Sequence, residues 1–168
     1  MELFEAIDSR SSAGRLSEPK PSSPDLERIL QAAGRAPDHG RLTPWRLIPI
    51  AGTVRETFAA AAADAKRERL AAMTPEQWEL ERDKILRSPC LVVVGCVVKK
   101  DFPKVPEVEQ LVAVGAAVQN MFLAAHALGY GVMWKTGAAA YSARVKAAVG
   151  LRPEDHIIAI LHIGTRIK

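Results

Sequence analysis

The run CLVVVGCVV, Cys90–Val98, carries apolar side chains at odd and even positions alike. A strand with one wet face alternates apolar and polar residues, whereas a strand without alternation is covered on both faces. The run therefore predicts a central strand between two helical layers. That sets the class as α+β, a helix-covered central mixed sheet of about four strands. If the run is extended, Cys90 and Cys96 lie on one face roughly 20 Å apart, beyond the ~7 Å that a bridge allows between Cα atoms. Both are expected as buried, reduced thiols, which points to a reducing compartment.

Downstream, VEQLVAVGAAVQNMFLAAHALG (Val108–Gly129) is apolar nearly all round and ends at a glycine. Such a helix belongs in the middle of a domain or at a subunit interface. YGVMW (Tyr130–Trp134) reads as a strand, Ser142–Val149 as a helix closed by Gly150, and HIIAILHIG (His156–Gly164) as the last strand. Upstream, a short helix over residues 2–8 precedes the polar segment SRSSAGRLSEPKPSS. Ser23 then caps a helix with Pro24 at its first position and an apolar stripe of Leu26, Ile29, Leu30 and Ala33. That helix should stop before Pro37. RLIPIAG (Arg46–Gly52) reads as a short strand that Pro49 confines to an edge or a bulge. Thr53 and Glu56 predict a capping box for an alanine-rich helix to about Ala72. Thr74, Pro75 and Gln77 open another, charged on most faces and so placed on the surface.

Composition narrows the function classes. The chain has 168 residues, 48% hydrophobic and 25% charged, which suits one globular domain over residues 1–168 rather than a disordered chain. A net charge of +4 suits an anionic ligand, but with only 5% aromatics it does not make a nucleic-acid surface. No stretch reads as uninterruptedly apolar for the ~18 residues a membrane span requires. MELFEAIDSR lacks the charged and apolar regions of a signal peptide, so the expected location is cytoplasmic. Gly129 and Gly131 form a G-x-G with the helix on the wrong side for a dinucleotide fingerprint. His126 reads as a packed histidine, and His156 and His162 as members of the last strand. No cysteine–histidine spacing suggests a metal, and no serine sits in a nucleophile elbow.

Three stretches stand out as candidate sites. Arg10, Ser11 and Ser12 follow the first helix and can hold a phosphate, or form a solvated loop. In RAPDHGRLTPW (Arg35–Trp45), Arg35 can complement a helix dipole, Asp38 can form a turn and Trp45 can enter the core. His39, four residues after Arg35 and past a proline, fits that structural reading less well and suits a planar polar ligand. In GVMWKTGAA, a strand ends in Trp134, Lys135, Thr136 and Gly137, either as an ordinary exit or as a ligand contact.

Taken in order, SRSSAGRLSEP, LERILQAAGRAPDHGRLTPWRLIPIAG, GYGVMWKTGA and IIAILHIGT resemble the FMN-dependent nitroreductase family, in its small-subunit branch. The resemblance implies a homodimer with two FMN sites at the subunit interface, each built from both chains. It places Arg10, Ser11 and Ser12 on the FMN phosphate and the ribityl side. It places Arg35 and His39 on the cofactor from the partner subunit, and Trp134, Lys135 and Thr136 along the flavin ring. The activity implied is an NAD(P)H oxidoreductase passing a hydride through FMN to a nitroaromatic, quinone or similar acceptor by a ping-pong route. NADH or NADPH is the donor, and no catalytic acid or base is assigned. Two alternatives remain open: a specialised flavin enzyme of the same fold, and a non-catalytic flavin-binding protein.

Overall fold

The computed structural model describes residues 1–70 and 72–167; Ala71 and Lys168, within the ranges expected above, lie outside the described residues. Strand β3 (Cys90–Cys96) is buried at every position. It pairs antiparallel with β2 (Trp45–Pro49) and with β5 (His156–Arg166). β5 also pairs antiparallel with β4 (Gly131–Lys135) and, at its far end, with the two-residue β1 (Leu16–Ser17). The α+β class holds, but among the described residues the sheet has five strands and every pairing is antiparallel, so the expected mixed sheet is corrected to an antiparallel one.

The connections explain the direction. Two helices, α3 (Thr53–Arg69) and α4 (Pro75–Leu86), join β2 to β3. An even number of helical passes returns the chain to the end it left, so β3 runs back against β2. The helix α6 (Ala143–Ala148), between β4 and β5, is about 9 Å long at ~1.5 Å per residue, too short to cross the sheet. β5 therefore also runs back against its predecessor.

One face of the sheet presents Val92, Val94, Leu161 and Ile163 to α2 (Ser23–Ala33) and α5 (Glu107–Ala127). The other presents Leu91, Val93 and Ile160 to Phe58 of α3 and Val145 of α6. This double cover is why the central run lacks polar alternation. Cys90 and Cys96 are free and buried, and burial first, then Glu107 and Asp155, pushes the Cys96 thiol up to about 12.

Three details depart from the sequence expectation. The cap of α2 is Ser22, one residue earlier than expected, whose Oγ accepts the Asp25 N–H at 3.2 Å. Thr53 and Glu56 form no capping box, because Gly52 with φ +56° already turns the chain into α3, which ends at Arg69. α5 is long and apolar enough by composition to cross a membrane, contrary to the sequence reading. Its residues Ala113, Val114, Ala117, Val118, Met121 and Phe122 are nevertheless packed in the core, while Val108 and Val112 on the same helix are exposed.

The box that opens α4 forms in full. Thr74 Oγ1 accepts the Gln77 N–H at 3.3 Å, and Gln77 Oε1 accepts the Thr74 N–H at 3.0 Å. Thr74→Ala should lower the unfolding free energy by about 1 kcal/mol. A urea titration should show the midpoint falling at constant slope. An unchanged midpoint would mean that packing against α3 alone holds this helix.

Candidate functional site

RAPDHGRLTPW forms a strained turn. After α2 the chain makes a single 3-10 turn, His39–Arg41, with φ +75° at Gly40, +53° at Arg41 and +46° at Thr43. Left-handed backbone at a residue with a Cβ costs on the order of 1–3 kcal/mol and needs its surroundings to impose it. Asp38 does part of this, its Oδ2 accepting the Thr43 N–H at 2.6 Å. So Asp38 is a turn former, and the prolines share that task with Gly40. Trp45 packs half-buried at the edge of the core. The turn sets His39 against the start of α5, with Nδ1 2.6 Å from Glu109 Oε2. A hollow of about 330 Å³ lies there, lined by Pro37, His39, Val108, Val112 and Ala116. Arg35 is exposed and makes no ion pair among the described residues.

The first candidate segment lies elsewhere. Arg10 ends helix α1 (Leu3–Ser9), with its guanidinium 4.8 Å over the Phe122 ring. Arg166 donates to Ser11 Oγ at 3.0 Å and to the Ser11 carbonyl at 2.7 Å, while Ser12 is exposed. The Ala13 N–H donates to the Val132 carbonyl at 2.8 Å, which ties this segment to β4. The close approach depends on Gly131, where a Cβ would stand 2.8 Å from Leu16 Cδ2 and 3.0 Å from Ala13 Cβ. β4 delivers the third segment. Trp134 is held by its indole N–H donating to the Ile158 carbonyl at 3.0 Å, and Lys135 and Thr136 stand exposed beyond it.

Between these two segments runs a cleft of about 120 Å³ with Ala13, Gly14, Lys84, Arg87, Lys135 and His162 on its walls. An adjoining hollow of about 420 Å³ shares Lys84 and Lys135 and adds Lys66, Arg69, Thr136 and Gly137. Glu81 neutralises Lys66 at 2.7 Å and also pairs with Lys84. Among the described residues Arg10, Arg87 and Lys135 have no carboxylate partner. Of these, Arg87 and Lys135 stand beside the apolar walls of Leu16 and Met133, which suits a ligand with an anionic end and an apolar body. Lys84 and Arg87 escaped the sequence reading because their helix looked like a solvated surface element.

From the sequence His162 is a strand residue only; the structure puts it on this cleft. It is 4% exposed, and its Nε2 is shielded with no partner among the described residues. Burial, then the charges of Lys135 and Arg55, pushes the imidazole down to about 3, so it is neutral. His126 and His156 are satisfied instead, by Ser9 Oγ at 2.8 Å and Glu107 Oε1 at 2.8 Å.

The chain does not bring all its candidate residues together. Arg10 sits over Phe122 and His39 against Glu109, two points about 20 Å apart along α5 at ~1.5 Å per residue. Lys135 and the backbone that follows Arg10–Ser12 share one cleft, and His39 lines a separate hollow.

The model of the nitroreductase family matches residues 7–165 of this chain. A relative from Escherichia coli (strain K12), named "Putative NAD(P)H nitroreductase YdjA", is 36% identical over 166 residues, 98% of this chain and 88% of its own. A nitroreductase-like family protein from Bacillus cereus superposes with a TM-score of 0.85 at 25% identity, covering 100% of this chain and 87% of the other. A structure from Desulfovibrio desulfuricans, in complex with FMN, does so with a TM-score of 0.75 at 24% identity, covering 100% and 88%. The chain belongs to the nitroreductase family.

Proposed function

We propose that this chain is an FMN-dependent NAD(P)H oxidoreductase that works as a homodimer, with residues 1–168 acting as one nitroreductase-like unit. The bound flavin supplies the redox chemistry, a ping-pong relay of hydride from NADH or NADPH to a nitroaromatic, quinone or similar acceptor. The observation that carries the reading is the cleft at the end of β4, where Lys135 meets the backbone that follows Arg10–Ser12. The relative named for NAD(P)H and the neighbour solved with FMN support the same cofactors.

The residues present fit a flavin mononucleotide. Arg10 and the Ser11 and Ser12 hydroxyls would hold the phosphate, and Arg10 can offer it a planar fork. Trp134, Lys135 and Thr136 would flank the ring, where the Lys135 ammonium would stabilise negative charge. Arg35 and His39 would reach the cofactor from the second copy. A twofold axis across α5 that brings the Glu109 end of one helix to the Phe122 end of the other closes the 20 Å gap. It also covers Val108, Val112, Leu3 and Phe4, exposed apolar residues of α5 and α1. The buried free thiols suit the cytoplasm as the working compartment.

The test is the visible spectrum of the protein after incubation with FMN and removal of excess, then after anaerobic NADH and NADPH. A yellow protein that bleaches with either nucleotide is the expected result. Retained yellow colour without bleaching would favour a flavin-binding protein, and failure to retain FMN would overturn the cofactor assignment.

A further inference from the structure

Ile160 belongs to the apolar face of β5 that meets α3, and His162 lies two residues further along. His162 is paired with Leu91 on one side and Met133 on the other. An aliphatic side chain at this position would complete the face. The sequence instead buries an imidazole, and its shielded Nε2 finds no partner among the described residues. A buried polar group without a partner destabilises the fold, so its presence calls for a ligand that supplies one.

The cleft that His162 lines limits what the ligand can be. Arg87, just after α4, and Lys135, at the end of β4, have no carboxylate partner among the described residues and make it cationic. The imidazole itself stays uncharged there, so it adds nothing to the attraction of a phosphate. A neutral imidazole suits a hydroxyl group, which can both donate and accept. Its position decides the rest. Ala13 and Gly14 directly follow the segment assigned to the phosphate, and Lys135 begins the segment assigned to the ring. The part of FMN between phosphate and ring is a polyol chain.

The geometry points to His162 as a flavin-binding residue that hydrogen-bonds a hydroxyl of the cofactor's polyol chain, in the cleft between Ala13–Gly14 and Lys135. This rests on the flavin reading above. It also explains why β5 carries a polar residue on an apolar face.

The experiment is FMN titration of the apoprotein, followed by quenching of flavin fluorescence, at low and at high salt, for wild type, His162→Leu and His162→Gln. Thermal melting of each apoprotein accompanies it. His162→Leu should weaken FMN binding about tenfold, the scale of one buried hydrogen bond. The factor should be the same at both salt concentrations, because a bond between neutral groups is not screened. The leucine apoprotein should melt no lower than wild type, having lost an unsatisfied polar group. His162→Gln, which keeps a hydrogen-bonding side chain, should recover part of the affinity, and it carries the test if the leucine variant fails to fold. Wild-type affinity in both variants would overturn the proposal. A loss that shrinks at high salt would assign the imidazole to the phosphate and also overturn it. If wild type itself leaves FMN fluorescence unchanged, the flavin reading has failed and the inference falls with it.

Discussion

Val112→Asp is expected to turn a yellow dimer into a colourless monomer. Val112 is 67% exposed in the isolated chain and Val108, one turn earlier, 62%. Both line the hollow beside His39. An aspartate there is harmless to a free chain, since its carboxylate would remain in water. In a twofold interface the same substitution buries two carboxylates. Each unpaired buried charge costs roughly 3–5 kcal/mol, so together they should weaken association on the order of ten-thousandfold or more. FMN should be lost with the dimer, because Arg35 and His39 would no longer reach the site of the other copy. Sedimentation equilibrium and the FMN content of the same sample check both parts. A variant that stays dimeric and yellow would place the interface on another surface. A yellow monomer would show that one chain suffices for the site.

Some of this architecture is legible in the sequence because its cause is local. The unbroken apolar run of β3 announces cover on two faces, and the capping box at Thr74 and Gln77 is written within four residues. Strand direction is not written there, since apolar periodicity is the same whichever way a strand runs. It follows instead from the two-helix connection before β3 and the short α6 before β5. β1 is two residues long, too short for any period, and exists because Leu16 and Ser17 meet Arg166 and Thr165. The pattern at Thr53 and Glu56 imitates a cap, but the positive φ of Gly52 had already set the helix start.

The candidate site divides along the same line. Arg10–Ser12, Arg35, His39 and Trp134–Thr136 are visible because each is an odd cluster in its own stretch. His162 is a single polar residue in an apolar strand, and what makes it noteworthy is a cleft assembled from Lys84, Arg87 and Lys135, far away in sequence. The charged helix α4 looks solvated from its own residues alone. Only its placement after α3 turns two of its cations toward β4.

The proposed sharing of the site between chains predicts the second large effect. In the proposed site Arg10→Ala would remove a charged fork from the phosphate, and a hydrogen bond to a charged group contributes about 1.5–3 kcal/mol. FMN affinity should fall roughly ten- to a hundredfold in that homodimer, and a comparable loss is expected for Arg35→Ala. The informative species is the mixed dimer, one chain of each variant, isolated with two different tags. If each site takes Arg10 from one chain and Arg35 from the other, both lesions fall in the same site. The second site then contains an intact Arg10 and an intact Arg35. The mixed dimer should bind one FMN per dimer at wild-type affinity while both variant homodimers bind poorly. If instead each chain built its own site, every site in the mixed dimer would carry one lesion. Titration would then show two weak sites and no tight one. The separation of Arg10 and His39 along α5 favours the first outcome, since about 20 Å of helix lies between the two halves of the site.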